Sequence, residues 1–398
     1  MLLCIAGAGG LVLGGWALHD SYESHQDREA SRALITEACA GLVDADTVMG
    51  LDGGTDRVVM GGEGPSTVDF ETVPGGCVLS RLEERKGRDV KLSQFTLTIQ
   101  GLPQQRDLHV IDDVWDRPFE GLERGRPGDA TARTTHPDRV PLGDGSLGDY
   151  GAEDATVTAR CDQPIASGAT SLVVTAASPS TRDQARDRTA LVRLAHRAAE
   201  GAARKLGCRA RLPELPTALP APAVDLTPVA NRQDSCDWYA AHLRGPDRER
   251  LPDRALGVPR VSGARMEGCL LAVSPERAER VFPLLAREER GHQRLDDVLG
   301  RYPWWIRTRT YVGDDAAAVA VKVRRASPNP VLTGRAGRIG QVRYASATCQ
   351  GRPGTFTMSV PETYAGVLGA RLDAMFTTYA TGAATRRGCT GLVLPGPE

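Results

Sequence analysis

The sequence lacks the short motifs that mark the commonest catalytic sites. It contains no G-x-S-x-G turn, no S-x-x-K pair, no H-E-x-x-H helix and no phosphate-binding P-loop. No two cysteines are spaced as C-x-x-C and the seven histidines lie away from the cysteines, which argues against a zinc site and against thioredoxin-like redox chemistry. The sequence therefore predicts no catalytic residue, no metal site and no cofactor, and it favours a protein that is not an enzyme.

Long runs of like charge, which are typical of binding tails, are also missing. Residues 1–230 carry 24 basic and 33 acidic side chains, whereas residues 231–398 carry 25 basic and 17 acidic ones, so the two parts have net charges of −9 and +8. This asymmetry favours mutual attraction between the two parts. The alternative is that the basic part meets an anionic surface, such as lipid headgroups or a wall polymer.

The composition indicates a folded and mostly soluble chain. Its 398 residues are 41% hydrophobic and 25% charged, which is close to the average of globular proteins. This length corresponds to two or three domains, each able to bury its own core.

The first residues form the one long apolar stretch. Residues 2–18 contain no charged side chain and would reach about 25 Å as a helix, slightly less than the hydrocarbon core of a bilayer. Glycines weaken its helix propensity, and the apolar core of a signal peptide or a buried helix are the alternatives. We predict a transmembrane anchor or signal-like segment at 2–18, and a single-pass cell-membrane protein with the bulk of the chain on the extracytoplasmic side.

Eight of the nine cysteines form two matched sets of four. The gaps between them are 38, 84 and 47 residues in the first set and 33, 80 and 40 in the second. Flanking residues agree as well, since the sequence around Cys77 (GCVL) matches that around Cys269 (GCLL). We interpret the two sets as an internal duplication. An even number of cysteines behind an export signal indicates disulfide bonds and an oxidising compartment.

Spacing alone does not choose among the possible connectivities within each repeat. Packing favours joining the first cysteine of each set to the second and the third to the fourth, because each bridge would then tie a helix to a neighbouring strand. The predicted disulfides are Cys39–Cys77, Cys161–Cys208, Cys236–Cys269 and Cys349–Cys389.

Hydrophobic periodicity predicts a run of strands in each repeat, followed by a long amphipathic helix. The predicted strands of the first repeat are 66–72, 77–82, 90–100, 155–161 and 171–177, and those of the second are 258–266, 268–273, 305–312, 317–324, 341–349 and 355–360. The predicted helices are 22–41, 181–206, 275–290 and 361–387. Residues 118–150 are rich in glycine and proline and are predicted to form a surface loop.

The predicted fold class is α+β: two tandem related domains, each an antiparallel sheet closed by a long C-terminal helix, after an N-terminal transmembrane helix. The five proline residues between 213 and 228 indicate an extended linker between the repeats. The predicted boundaries are 2–18 for the anchor, 21–208 for the first repeat, 209–233 for the linker, 234–389 for the second repeat and 390–398 for a tail.

Three weaker motifs have structural explanations. Residues 143–148 match G-x-G-x-x-G, but a strand follows where dinucleotide binding needs a helix. Asp44 is expected to cap a helix, because the acidic residues near it do not have the spacing of a calcium loop. The adjacent carboxylates at 112–113 and 296–297 are expected to belong to polar turns or helix caps, since neighbours on an extended chain point apart.

The best candidate for ligand binding is the stretch from Arg301 to Tyr311, in which cations alternate with aromatic residues in a chain that is only 5% aromatic. Its rings could stack on a sugar or an anionic ring. Packing in a core or an interface is the competing explanation. The possible ligand-binding residues are Tyr302, Trp304, Trp305, Arg307, Arg309 and Tyr311.

The stretch Glu37–Asp44 and the glycine–cysteine pairs that end the helices resemble the cysteine-framed lipoproteins and membrane-anchored envelope proteins of actinobacteria. The sequence departs from that pattern in having no lipobox and in its doubled domain. The resemblance implies an envelope location and no particular catalytic residues.

The predicted function is that of a membrane-tethered extracytoplasmic binding or scaffold protein of the bacterial cell envelope. The alternatives are an envelope hydrolase and a sensor ectodomain that acts with a separate partner. The expected partners are the cytoplasmic membrane, through residues 2–18, and an anionic envelope polymer or a protein, whereas nucleic acid is not expected.

Overall fold

The computed structural model describes residues 22, 24–62, 67–70, 75–103, 108–112, 117–119, 129–179, 184–230, 232–244, 248–323 and 326–396. The predicted anchor at 2–18 lies outside these residues. No helix in the described part of the chain combines the length and the apolar character needed to cross a membrane.

The chain forms a mixed α+β structure with mostly antiparallel sheets. The α-helices are α1 (24–38), α2 (Ala45–Met49), α3 (Gln184–Lys205), α4 (Pro275–Val281), α5 (Arg287–Arg290), α6 (Asp314–Ala317), α7 (Glu362–Leu368) and α8 (Arg371–Arg386). The strands are β1 (Val58–Met60), β2 (Gly75–Arg85), β3 (Arg88–Leu102), β4 (His109–Asp112), β5 (Val140–Pro141), β6 (Gly148–Tyr150), β7 (Asp154–Arg160), β8 (Ser171–Ala177), β9 (Thr227–Pro228), β10 (Arg254–Gly257), β11 (Met266–Ala272), β12 (Trp305–Val312), β13 (Val319–Lys322), β14 (Asn329–Pro330), β15 (Gly337–Ile339), β16 (Val342–Cys349), β17 (Arg352–Ser359) and β18 (Cys389–Val393).

The chain divides into two compact units. The first unit comprises Met1–Gly101, Ala152–Ser167 and Leu172–Leu219, and the second comprises Leu102–Gly151, Gly168–Ser171 and Pro220–Glu398. The division between Leu219 and Pro220 falls inside the predicted proline-rich linker. The end of that linker nevertheless takes part in the second unit, because β9 pairs with β10.

In the first unit five strands lie side by side in the order β1-β2-β3-β8-β7. Strands β2 and β3 form an antiparallel hairpin, and β1 pairs antiparallel with β2. The α3 helix packs on β7 and buries Leu191, Leu194 and Ala198 at helical spacing. It ends before Gly207, whose φ of 70° is the left-handed conformation that a helix C-terminus favours.

In the second unit the main sheet has the order β15-β16-β17-β12-β11-β10-β9, and all its neighbouring strands are antiparallel. One face of this sheet packs against α8, which buries Leu372, Met375 and Tyr379. The predicted helix 361–387 is divided into α7 and α8, because Gly369 adopts a left-handed φ of 54° that ends the first of them.

Residues 102–151, which we call the inserted segment, connect β3 of the first sheet to β7 but belong to the second unit. Its strand β4 pairs parallel with β13, and β14 completes a three-stranded sheet. The predicted loop 118–150 contains buried side chains, including Leu142, Leu147 and Tyr150. The high glycine and proline content correctly indicated that most of the described residues in 129–150 lie outside helices and strands. It did not reveal that these apolar side chains are buried.

Other predicted elements also differ from the structure. The predicted helix 275–290 is divided, because α4 ends at Val281 and α5 begins at Arg287. Residues 67–70 of the predicted strand 66–72 are not extended in a sheet, and β1 occupies the edge beside β2 instead. The predicted strand 258–266 is shifted to β10, since residues 258–265 form a turn. Short alternating patterns do not fix which of two adjacent stretches pairs with the sheet.

Four disulfides join the eight cysteines in the expected pairs, Cys39–Cys77 and Cys161–Cys208 in the first unit, and Cys236–Cys269 and Cys349–Cys389 in the second. In each of the first three disulfides, one cysteine lies close to the end of a helix. The other lies in a strand (Cys77 and Cys269) or directly after one (Cys161). The fourth joins two neighbouring strands, because Cys389 begins β18 rather than continuing the helix.

Candidate functional site

The candidate stretch 301–311 runs into the central strand of the second sheet. In β12 alternate residues face opposite sides of the sheet. Ile306 and Val312 lie in the core beneath α8, whereas the odd-numbered residues from Trp305 to Tyr311 face the other side. We call this other side, which carries most of the candidate residues, the outer face.

Trp304 is part of the core and not of a surface. Its ring stacks on Tyr364 at 5.3 Å between centroids and on Phe282 at 6.1 Å. The indole Nε1 donates a hydrogen bond of 3.3 Å to the side-chain oxygen of Gln293. Only 1% of Trp304 is exposed, so this ring is not available for stacking on a ligand.

Trp305 is half-buried on the outer face. It packs against an apolar cluster of the same unit that contains Phe119 of the inserted segment and Leu270 of β11. The inserted segment therefore covers this end of the outer face.

Arg307 and Arg309 meet a carboxylate of the inserted segment. Asp138 lies 3.0 Å from Nε of Arg309 and 3.5 Å from Nε of Arg307, and Arg307 also donates to the backbone carbonyl of His136. Asp138 is buried above Gly268, where a Cβ atom would come within 2.3 Å of its carboxyl carbon. The glycine thus makes room for the ion cluster, which fastens the inserted segment to the sheet.

Tyr311 is buried beside a second polar cluster. Its ring lies 5.0 Å from that of His109 in the inserted segment. Nε2 of His109 lies 2.7 Å from one carboxylate oxygen of Asp315, and Arg265 contacts the other. Burial alone would raise the pKa of the Asp315 carboxyl, but Arg265 and His109 act in the opposite direction, so its pKa lies below the ordinary value.

A histidine held by a carboxylate is also found in hydrolases, where a nucleophile completes the arrangement. In the described part of the chain no serine, threonine or cysteine side chain hydrogen-bonds to His109. The nearby Ser171 hydroxyl donates to Asp314 at 2.6 Å instead. The described residues also contain no group of three or more side chains arranged to hold a metal ion. The His109 cluster therefore fastens β4 to α6.

Tyr302 is the one candidate residue with an exposed side chain, at 37%. Two guanidinium groups lie on its ring, that of Arg301 at 5.0 Å from the ring centroid and that of Arg117 at 5.7 Å. Within the residues that the structure describes, neither arginine forms an ion pair or a side-chain hydrogen bond. Two cations thus converge on one exposed ring without a carboxylate partner.

The structure therefore separates the six candidate residues. Trp304 and Tyr311 are buried, Arg307 is buried in an ion cluster, Trp305 and Arg309 are half-buried, and Tyr302 is exposed. Sequence reasoning missed Arg117, which lies far from Tyr302 along the chain and carries no motif.

The first two weaker motifs have structural roles, whereas Asp112 is the last residue of β4 and Asp296 precedes a helical turn at Asp297–Arg301. The Asp44 side chain accepts a hydrogen bond of 2.8 Å from the backbone N–H of Thr47 and caps α2. In the stretch 143–148, Asp144 accepts from Ser146 and its carbonyl from Gly263, and β6 follows. At the paired carboxylates, Asp112 lies 3.6 Å from Lys322 and Asp296 lies 4.0 Å from Arg294.

Comparisons of the chain with protein-family models, with curated proteins and with solved structures find no match. The function of the site is therefore inferred from its own chemistry.

Proposed function

We propose that the protein is a membrane-tethered, extracytoplasmic binding protein of the bacterial cell envelope. The observation that carries this proposal is the joining of eight cysteines in four disulfides, two in each unit. Structural disulfides persist in oxidising compartments and are rare in the cytosol. Residues 2–18 would supply the tether as a transmembrane helix, since they contain no charge and are nearly long enough to span the hydrocarbon core.

A binding role fits the polar groups better than hydrolysis does. The buried clusters around Asp138 and Asp315 hold the inserted segment in place. The exposed Tyr302 with its two arginines presents cations and an aromatic ring to a partner instead. Arginine and tyrosine are among the residues that contribute most to binding surfaces.

We further propose that the two units arose by duplication. In the first unit β2, β3, β8 and β7 are neighbours in that order, and in the second unit β11, β12, β17 and β16 are neighbours in the same sense. In both sets the last two strands are exchanged relative to the sequence. The strand that comes fourth in sequence (β8 or β17) lies beside the second, and the strand that comes third (β7 or β16) lies outside it. The second and third cysteines also correspond, because Cys77 and Cys269 lie in the first of these strands and Cys161 and Cys349 lie at the end of the third.

Location is tested by fusing the full chain to a C-terminal reporter that is active only outside the cytoplasm, and by mapping disulfides in protein recovered from the envelope. We expect an active reporter and no free thiol at the eight paired cysteines. A matched variant without residues 2–18 is expected to stay in the cytoplasm with these thiols reduced. A reporter active only in the cytoplasm, or free thiols in envelope material, would contradict the proposal.

A further inference from the structure

The arginines around Tyr302 differ from most arginines of the second unit in lacking a counterion. Arg254, Arg265, Arg309, Arg343 and Arg387 each lie within ion-pair distance of a carboxylate. Arg117 and Arg301 instead lie on an aromatic ring, and the structure places no carboxylate of the described chain within reach of either. Two cations held close together repel each other, so binding of an anion beside both of them is favourable.

The stacking on Tyr302 prepares both guanidinium groups for an anion. An aromatic face offers no oxygen acceptor, so the N–H donors of a guanidinium that contacts it remain available to bind an oxyanion. Both guanidinium carbons lie within 6 Å of the same ring centroid, so the two groups are within about 11 Å of each other. One oxyanion held by both arginines, or two successive anions of one chain, can fit this spacing.

Of the two acidic residues that precede Tyr302 most closely in sequence, Asp296 lies 4.0 Å from Arg294, and Asp297 accepts the Tyr302 backbone N–H through its backbone carbonyl at 2.6 Å. A third arginine of the same unit, Arg290, also lies over an aromatic ring, 5.8 Å from the centroid of Phe282.

We propose that Arg117, Arg301 and Tyr302 form a binding site for the phosphodiester groups of an anionic polymer. A phosphodiester keeps its negative charge at every physiological pH and offers two free oxygens to arginine forks. The Tyr302 hydroxyl, which makes no hydrogen bond within the described residues, adds one donor. This inference names the ligand class of the proposed binding function and rests on it.

The test measures binding of the full chain, in a non-ionic detergent, to synthetic poly(glycerol phosphate) by calorimetry. We expect binding that weakens as salt increases, because association releases counterions from the polymer. Arg301→Ala and Arg117→Ala are each expected to weaken binding about tenfold, the effect of losing a charge-assisted hydrogen bond. Tyr302→Ala should have a similar effect, whereas Tyr302→Phe should retain most of the binding because it keeps the ring.

The matched control is Arg335→Ala, which removes an exposed arginine that also lacks an ion-pair partner but lies on no aromatic ring. This variant should bind as the wild type does. Equal losses in Arg335→Ala and Arg301→Ala would overturn the proposal, because they would indicate a general charge effect. So would equal binding of a polyglutamate of matched length, or binding to phosphatidylglycerol vesicles without binding to the polymer. These assays use purified protein and do not depend on its location in the cell. A failure to bind the polymer would therefore contradict the ligand class but not the envelope location, which the reporter fusion tests.

Discussion

The sheets of the two units share a strand order but differ in the connection between their second and third strands in sequence. In the second unit, the residues between β12 and β16 form α6, β13, β14 and β15 and stay within the same unit. In the first unit, the residues between β3 and β7 are the inserted segment, which belongs to the second unit. The connection at the same place in the two strand orders is thus local in one unit and extended in the other.

The ion pairs of the two units show the same contrast. The buried Arg81–Asp52 pair of the first unit joins residues 29 positions apart. The Arg309–Asp138 pair of the second unit joins residues 171 positions apart, because one partner comes from the inserted segment. The two ion pairs therefore differ in the length of chain between their partners.

The disulfides should give the largest difference between the units. Replacing both Cys161 and Cys208 with alanine removes a bridge that closes 47 residues, which contributes about 4 kcal/mol by the chain-entropy estimate. We expect the free energy of unfolding of the first unit to fall by about this amount, measured by calorimetry. The matched change at Cys349 and Cys389 should act on the second unit. Equal loss in both units from either variant would show that they unfold together.

Asp138→Asn is expected to destabilise the second unit by about 3 kcal/mol, because two buried or half-buried arginines lose their carboxylate. Hydrogen exchange should show reduced protection in residues 129–142. The control Asp52→Asn removes the buried partner of Arg81 in the first unit and should leave the protection of 129–142 unchanged. Unchanged exchange in Asp138→Asn would contradict the role given to this cluster.

A smaller effect on stability is expected from the residue that lies opposite the cysteine of β2 or of β11 on the neighbouring strand. Leu97 lies opposite Cys77 in the first sheet, and Thr308 lies opposite Cys269 in the second. The Thr308 hydroxyl is buried without a hydrogen-bond partner in the described chain. Thr308→Val should therefore stabilise the second unit by about 1 kcal/mol in denaturant unfolding.

The control for this change lies two residues away. Thr310 forms a hydrogen bond of 2.8 Å with the Tyr379 hydroxyl, so Thr310→Val should destabilise the second unit. Stabilisation by both valines, or by neither, would show that hydrogen bonding at these positions does not decide stability.

The smallest expected effect is a pH dependence of the second unit. Burial lowers the pKa of His242 in the folded protein, so the unfolded chain binds a proton more readily than the folded one. Stability is then full above the ordinary histidine pKa of about 6.5 and decreases as the pH falls toward the lowered value. In His242→Gln this part of the decrease should disappear, as measured by unfolding at pH 5 to 8. An identical pH profile in the variant would show that His242 does not contribute.

Sequence reasoning succeeded where the signal was local or repeated. Alternating residues identified β7, β8 and β12, and the expected packing of helices against strands favoured the disulfide pairs that the structure shows. It could not identify Arg117, because the contact with Tyr302 depends on where the inserted segment packs. It also could not separate Trp304 from Tyr302, since both are aromatic neighbours in sequence and only the tertiary packing decides which of them is buried.

The path of the inserted segment has a consequence for the order in which the chain can fold during synthesis. The segment precedes β7, β8 and α3, so it is made before the first unit is finished, yet its partners Gly263, Arg307 and Asp315 are made only after that unit. Until then Leu142 and Tyr150 have no completed core to enter. We therefore expect a chain truncated after residue 219 to fold its first sheet but to expose the inserted segment to proteases, so that the two halves cannot be exchanged as independent modules.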